Sequence, residues 1–177
     1  MKYVNENRIP NGKVLVPGCG RAYDIVALAS PMREVLGIDI SDIAVQAAKS
    51  WLSQQSLPTN YKYEVKLQNF FDISPASQED KFDFIYDYTF FCALDPSIRD
   101  LWGMQMSKLC KQGGELFTLV FPLVDKPNGP PFGVSFEAYK KALEPNGFEC
   151  LELEMLPDEL CHPDREGKSA VGRWRRL

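Results

Sequence analysis

The stretch Lys13-Val-Leu-Val-Pro-Gly-Cys-Gly-Arg21, followed closely by Glu34-Val-Leu-Gly-Ile-Asp-Ile-Ser41, constrains this chain more than any other. Each half holds an apolar run of strand length; the first ends in a glycine turn and the second in an aspartate. Gly18 and Gly20 lack a Cβ, so the backbone can turn sharply and admit a ligand to the amides that open the next helix. Asp39 follows Gly20 by 19 residues, the spacing at which a carboxylate accepts hydrogen bonds from both hydroxyls of a ribose. Together they describe a nucleotide-sized pocket.

The remaining pattern supplies a sheet around it. Residues 1–12 form a short polar N-terminal segment, and strands are expected at 14–17, 35–40, 61–67, 82–88, 115–121, 148–155 and 172–176. Helices are expected at 23–29, at 43 to about 53 behind the cap Ser41-Asp42, from Asp95-Pro96 to Cys110, and at 136–143 behind Ser135. In the second helix Ile43, Ala44, Ala47, Ala48 and Trp51 fall near one face, and the third is expected to stop at Gly113-Gly114. Residues 122–133 are rich in proline and glycine and too long for a mere connector, which suggests a lid or pocket wall. Strands alternating with helices at this spacing predict a doubly wound α/β sheet, its last two strands antiparallel at the edge, in a single domain spanning 1–177.

Composition narrows the partners. A net charge of −4 argues against broad nucleic-acid binding. The final residues, 165–177, carry Arg165, Lys168, Arg173, Arg175 and Arg176 against Glu166; a solvated terminus is the plainer expectation and an anion-attracting rim the sharper one. Five scattered cysteines, Cys19, Cys92, Cys110, Cys150 and Cys161, form no CxxC pair and suggest reduced thiols in the cytoplasm; with His162 the sole histidine, no metal site is expected. No apolar run reaches the length of a membrane span, so no membrane partner is expected. A monomer or weak oligomer acting on a small molecule or anion fits these features.

Ligands of open α/β sheets bind at the carboxyl ends of the strands, where Gly18, Asp39, Asn69 and Asp87-Tyr88 fall. A dinucleotide fingerprint needs a third glycine where Tyr23 stands, and no Gly-Lys-Ser/Thr follows the turn for a phosphate loop. A nucleoside cofactor without a pyrophosphate suits these residues better, and S-adenosylmethionine is the common one.

Val16-Pro-Gly-Cys-Gly20, Gly37-Ile-Asp-Ile-Ser41, Phe82-Asp-Phe-Ile-Tyr-Asp-Tyr-Thr-Phe-Phe-Cys92, Phe121-Pro122, Gly129-Pro-Pro-Phe132 and Gly172-Arg-Trp174 resemble, in this order, the halide/thiol methyltransferases of the thiopurine methyltransferase superfamily. The resemblance implies a class I S-adenosylmethionine-dependent methyltransferase, a Rossmann-like sheet of seven strands with the last antiparallel. It implies that Gly18 meets the methionine part, Asp39 the ribose, and Asn69 and Phe70 the adenine, with Gly20 also at the cofactor and Tyr88 near the sulfonium. Asp87 is expected either to position the cofactor's amino group or to cap the turn that follows it. Tyr88, Phe91 and Phe132, together with Phe90, are the expected acceptor pocket, since methyl transfer from a sulfonium needs alignment and a dry site rather than a protein nucleophile. No catalytic acid or base is assigned, and the acceptor is expected to be a thiol, bisulfide, thiocyanate or halide. Two departures are visible: the family's N-terminal cover with its tryptophans has no counterpart ahead of Lys13, and Asn69 stands where an acid is usual. The alternative function is therefore a shortened, weakly active or inactive methyltransferase-like binding or regulatory protein.

Overall fold

The computed structural model describes residue 6 and residues 8–177. Its centre is a seven-stranded sheet in the order β3-β2-β1-β4-β5-β7-β6. The strands are β1 (Gly12–Pro17), β2 (Arg33–Asp39), β3 (Lys62–Leu67), β4 (Phe82–Tyr88), β5 (Cys110–Val120), β6 (Phe148–Met155) and β7 (Ala170–Arg176). Neighbours pair in parallel except β7, which runs antiparallel to both β5 and β6.

Side chains alternate across each strand, so β1 feeds two cores at once. Val14 and Val16 enter one core with Ile25, Val35, Phe84 and Phe117, beneath helices α1 (Tyr23–Leu28) and α2 (Asp42–Leu52). Leu15 enters the other with Ile38, Ile85, Leu116 and Trp102, beneath α3 (Arg99–Leu109) and α4 (Phe136–Leu143). Helix α1 follows β1 to one face and α3 follows β4 to the other, so the crevice between the ends of β1 and β4 is the topological switch point. The site lies there.

Three local expectations need correction. Helix α2 buries Val45, Ala48 and Leu52, whereas Ile43 is 81% exposed, because Val45 sets the buried face and Ile43, two residues before it, lies on the opposite side of the helix. Gly113-Gly114 does not end α3. The helix stops at Leu109, and β5 begins at Cys110 opposite Phe82; a register shift between Phe82 and Phe84 takes up the glycine pair inside the strand. The basic tail is not simply solvated either: Arg173 pairs with Glu115 at 2.7 Å, and Arg176 donates to the Gly147 carbonyl at 3.0 Å, both holding β7 in place.

The Gly172-Arg-Trp174 motif has a packing explanation. A Cβ at Gly172 would lie 2.5 Å from the Thr118 Oγ1 and 2.8 Å from the Trp174 Nε1, and those two atoms hydrogen bond at 3.2 Å in the core. Among the described residues no helix is long and apolar enough to cross a membrane. The expected lack of a cover ahead of Lys13 concerns a segment of which residues 1–5 and 7 lie outside the described residues; its described part buries Ile9.

Candidate active site

The turn after β1 takes the left-handed conformation twice, with φ of 59° at Gly18 and 51° at Gly20. Gly18 is filled from behind, since a Cβ there would sit 2.5 Å from the Phe90 ring. Gly20 has nothing within 4 Å of that position, which leaves its outer side open to a ligand. Its N–H donates to the Asp39 Oδ2 at 2.9 Å, and the Ser41 N–H donates to Oδ1 at 2.9 Å. The carboxylate is thus fixed by the turn itself, and each oxygen keeps a lone pair for a ribose hydroxyl. Gly37 makes room beneath: a Cβ there would meet Ile25 at 2.5 Å and the Cys19 sulfur at 3.0 Å. Burial, with the Asp39 charge added, pushes the Cys19 thiol up to about 12, so it packs as a small apolar group.

Asn69 is exposed and uses its Oδ1 to accept from the Phe71 N–H at 3.1 Å, leaving the amide nitrogen outward. Phe70 is 2% exposed and packs edge-on to Phe71 and Phe90, a core position behind the crevice. Sequence reasoning passed over Ile40. It follows Asp39 directly and is 74% exposed at the strand end, a free apolar surface beside Asp39, and the signal was an isoleucine just past the strand's acid.

Asp87 is fully buried. Its Oδ1 accepts from the Phe90 and Phe91 N–H groups at 3.1 and 3.2 Å, and its Oδ2 from the Trp102 Nε1–H at 3.1 Å. These are the bonds of a turn cap, one of its two expected roles. Desolvation nevertheless dominates and raises the carboxyl from 3.8 to about 6. The cap throws the two phenylalanines apart. Phe90 goes to the glycine turn, while Phe91 has no exposed surface and lies between Trp102 and Tyr139, with ring centroids 4.5 and 4.2 Å away. Phe91 therefore lines no open pocket, because its side chain points under α3 and α4.

Tyr88 is half-buried and meets an arginine from the far edge of the sheet. Arg165, in the loop between β6 and β7, donates from Nη1 to the Tyr88 hydroxyl at 3.1 Å, and its guanidinium lies 4.3 Å from the centre of the Phe121 ring. The basic tail was visible in the sequence, but nothing local marked Arg165 as the member that turns inward. Two further hydrogen bonds knit the surrounding wall: the Phe132 N–H to the Cys92 carbonyl at 2.7 Å, and the Leu123 N–H to the Lys168 carbonyl at 2.9 Å. Phe132 thus belongs to a loop that is tied to the segment after β4. His162 is exposed, its Nδ1 3.0 Å from the Pro163 carbonyl.

The crevice fits a nucleoside cofactor: an open cradle at Gly20, a preset carboxylate at Asp39 and an apolar surface at Ile40. Comparison with known proteins agrees. The family model for thiopurine S-methyltransferase (TPMT) matches residues 1–176. A probable thiol methyltransferase 2 of Arabidopsis thaliana is 45% identical over 173 residues, 98% of this chain and 74% of the relative. Thiocyanate methyltransferase 1 of the same plant is 38% identical over 174 residues, again 98% and 74%. A thiopurine S-methyltransferase of Vibrio campbellii is 31% identical over 183 residues, 98% of this chain and 81% of that one. Among solved structures, a SAM-dependent methyltransferase from Methanosarcina mazei superposes with a TM-score of 0.81 at 18% identity, covering 98% of this chain and 97% of the other. The magnesium protoporphyrin IX methyltransferase from Synechocystis PCC 6803, solved with bound SAM, gives 0.74 at 17% identity, covering 99% and 75%.

Proposed function

We propose that this chain, which belongs to the thiopurine S-methyltransferase family and is an S-adenosylmethionine-dependent methyltransferase, acts on a small soft nucleophile: a thiol, bisulfide, thiocyanate or halide ion. The observation that carries this reading is Arg165. A guanidinium held against Tyr88 and Phe121 at the end of β4 makes the acceptor side both cationic and apolar, an environment suited to a weakly hydrated anion.

S-adenosylmethionine, when bound, supplies a methyl group on a sulfonium, which passes to the acceptor by in-line displacement. The residues of the chain provide the alignment. Asp39 holds the ribose through its two oxygens, the turn amides around Gly20 face the amino-acid end, and Ile40 with the outer edge of Asn69 borders the base. Phe90 backs the turn against Gly18. Tyr88, tied through its hydroxyl to Arg165, would stand near the sulfonium, and Arg165 draws the acceptor as an anion. The loops that carry Phe121, Phe132 and Arg165 are tied together as an apolar wall, and contact with such a wall strips a nucleophile of part of its water shell and raises its reactivity. No protein nucleophile is needed; burial keeps Cys92 a thiol, at about 11. A cytoplasmic monomer or weak oligomer with no nucleic-acid partner completes the proposal, supported by the net charge of −4 and the unpaired cysteines.

The test is calorimetric titration with S-adenosylhomocysteine, followed by turnover of bisulfide, thiocyanate, iodide and an aryl thiol. Binding and methylation of at least one acceptor are expected. A protein that binds no S-adenosylhomocysteine is a methyltransferase-like module without this activity.

A further inference from the structure

We propose that the Thr89 hydroxyl donates a hydrogen bond to the acceptor anion and fixes its position for transfer, an inference that rests on the S-methyl transfer proposed above. Thr89 has φ of 60°. A β-branched side chain is crowded in that left-handed region, where glycine sits freely. The backbone is nonetheless held there from both sides. Asp87 accepts from the N–H groups of Phe90 and Phe91, the Cys92 thiol donates to the Thr89 carbonyl at 3.3 Å, and Arg165 anchors the Tyr88 hydroxyl. Strain retained inside such a cage marks a residue whose side chain is used.

Nothing among the described residues uses it. The Thr89 hydroxyl makes no hydrogen bond among the described residues, and it is not one of the sealed, unpartnered atoms of the core. The residue is half-buried and its hydroxyl keeps some open surface, so the atom is available to a partner that enters the crevice. Its place explains what it can pair with. Continuing the register Val14↔Phe84 and Leu15↔Ile85 brings Gly18 level with Tyr88, so Thr89 follows β4 at the mouth of the switch-point crevice. Tyr88 on one side faces the Arg165 wall, and Phe90 on the other backs the glycine turn. A donor carried by the segment between those two walls would stand on the acceptor side of a cofactor held by the glycine turn and Asp39. In the step, an acceptor lone pair forms the new bond to the methyl carbon, while the old carbon–sulfur pair returns to the donor sulfur and neutralises the sulfonium. The threonine keeps its proton throughout; it is a positioning residue that touches the acceptor and exchanges nothing.

The experiment compares Thr89→Val with Thr89→Ser. Valine keeps the branch and the strain and removes the donor; serine keeps the donor. Valine is expected to raise the acceptor KM by about tenfold or more, the loss of one hydrogen bond to a charged group, with unchanged affinity for S-adenosylhomocysteine and unchanged melting temperature. Serine is expected to stay close to wild type. Thr89→Gly, freed of strain, should melt higher than wild type while sharing the KM defect of valine. A wild-type acceptor KM in Thr89→Val, or equal defects in the valine and serine variants, overturns the role of Thr89 alone. A wild-type protein that binds S-adenosylhomocysteine but methylates no acceptor overturns both this role and the reaction on which it rests.

Discussion

Asp87→Asn asks whether the turn that shapes the site is held by a buried charge. The carboxylate takes three donors, the Phe90 and Phe91 N–H groups and the Trp102 indole, with no surface left to water. Desolvation still outweighs these bonds and lifts its pKa from 3.8 to about 6. Because the folded pKa is the higher one, the folded state holds the proton more tightly than the unfolded chain. The stabilisation is therefore complete below 3.8 and is lost as pH rises through about 6. At 1.36 kcal/mol per pKa unit the loss amounts to about 3 kcal/mol. Asparagine has nearly the same shape and no such titration. Its amide oxygen can still cap Phe90 and Phe91, but its NH2 group faces the Trp102 N–H, donor against donor, at a cost of about 1–3 kcal/mol. That cost is a fixed offset, whereas the titration is not. Urea unfolding of both proteins at several values between pH 3.5 and pH 7.5, followed by tryptophan fluorescence, separates them. The stability of the variant relative to wild type should rise by about 3 kcal/mol across that range. A difference that stays constant with pH would refute the account of Asp87 as a buried carboxylate whose desolvation outweighs the hydrogen bonds of its turn.

Two further outcomes follow from the geometry of the crevice. Asp39→Ala removes the anchor of both the Gly20 and Ser41 N–H groups and the ribose acceptor, so S-adenosylhomocysteine should bind about 10–100-fold more weakly in calorimetry; unchanged affinity would take Asp39 out of the site. Gly18→Ala drives a Cβ into the Phe90 ring and strains the backbone, and should cost about 3 kcal/mol in chemical unfolding, whereas Gly20→Ala meets open space and should cost about 1 kcal/mol. Equal losses at the two glycines would contradict the packing described here.

The glycine turn and the aspartate it holds were legible because their signals are local. A glycine turn, a strand-end acid and the spacing between them are properties of neighbouring residues, and backbone sterics do the rest. Tyr23 was also informative, since helix α1 starts there and turns the ring outward onto Trp51, at 4.8 Å, where a glycine would have no task. Legibility failed where tertiary context decides. Phe90 and Phe91 are indistinguishable as letters, and only the Asp87 cap assigns one to the site and the other to the core. The glycine pair at 113–114 reads as a helix stop until the mismatch between β4 and β5 gives it a place inside a strand. Arg165 lies 77 residues from Tyr88, and no periodicity connects them.

That long reach divides the labour of the site along the chain. In the proposed reaction the methyl source is held by the segments that carry Gly20, Asp39 and Phe90, and the acceptor meets Thr89 together with a wall written in the later loops that carry Phe121, Phe132 and Arg165. Substitutions in those later loops can alter what is methylated without disturbing the residues that hold the methyl source. A lineage built on this plan can change its chemical targets by editing one end of its sequence while the other stays under the constraint of a single shared cofactor.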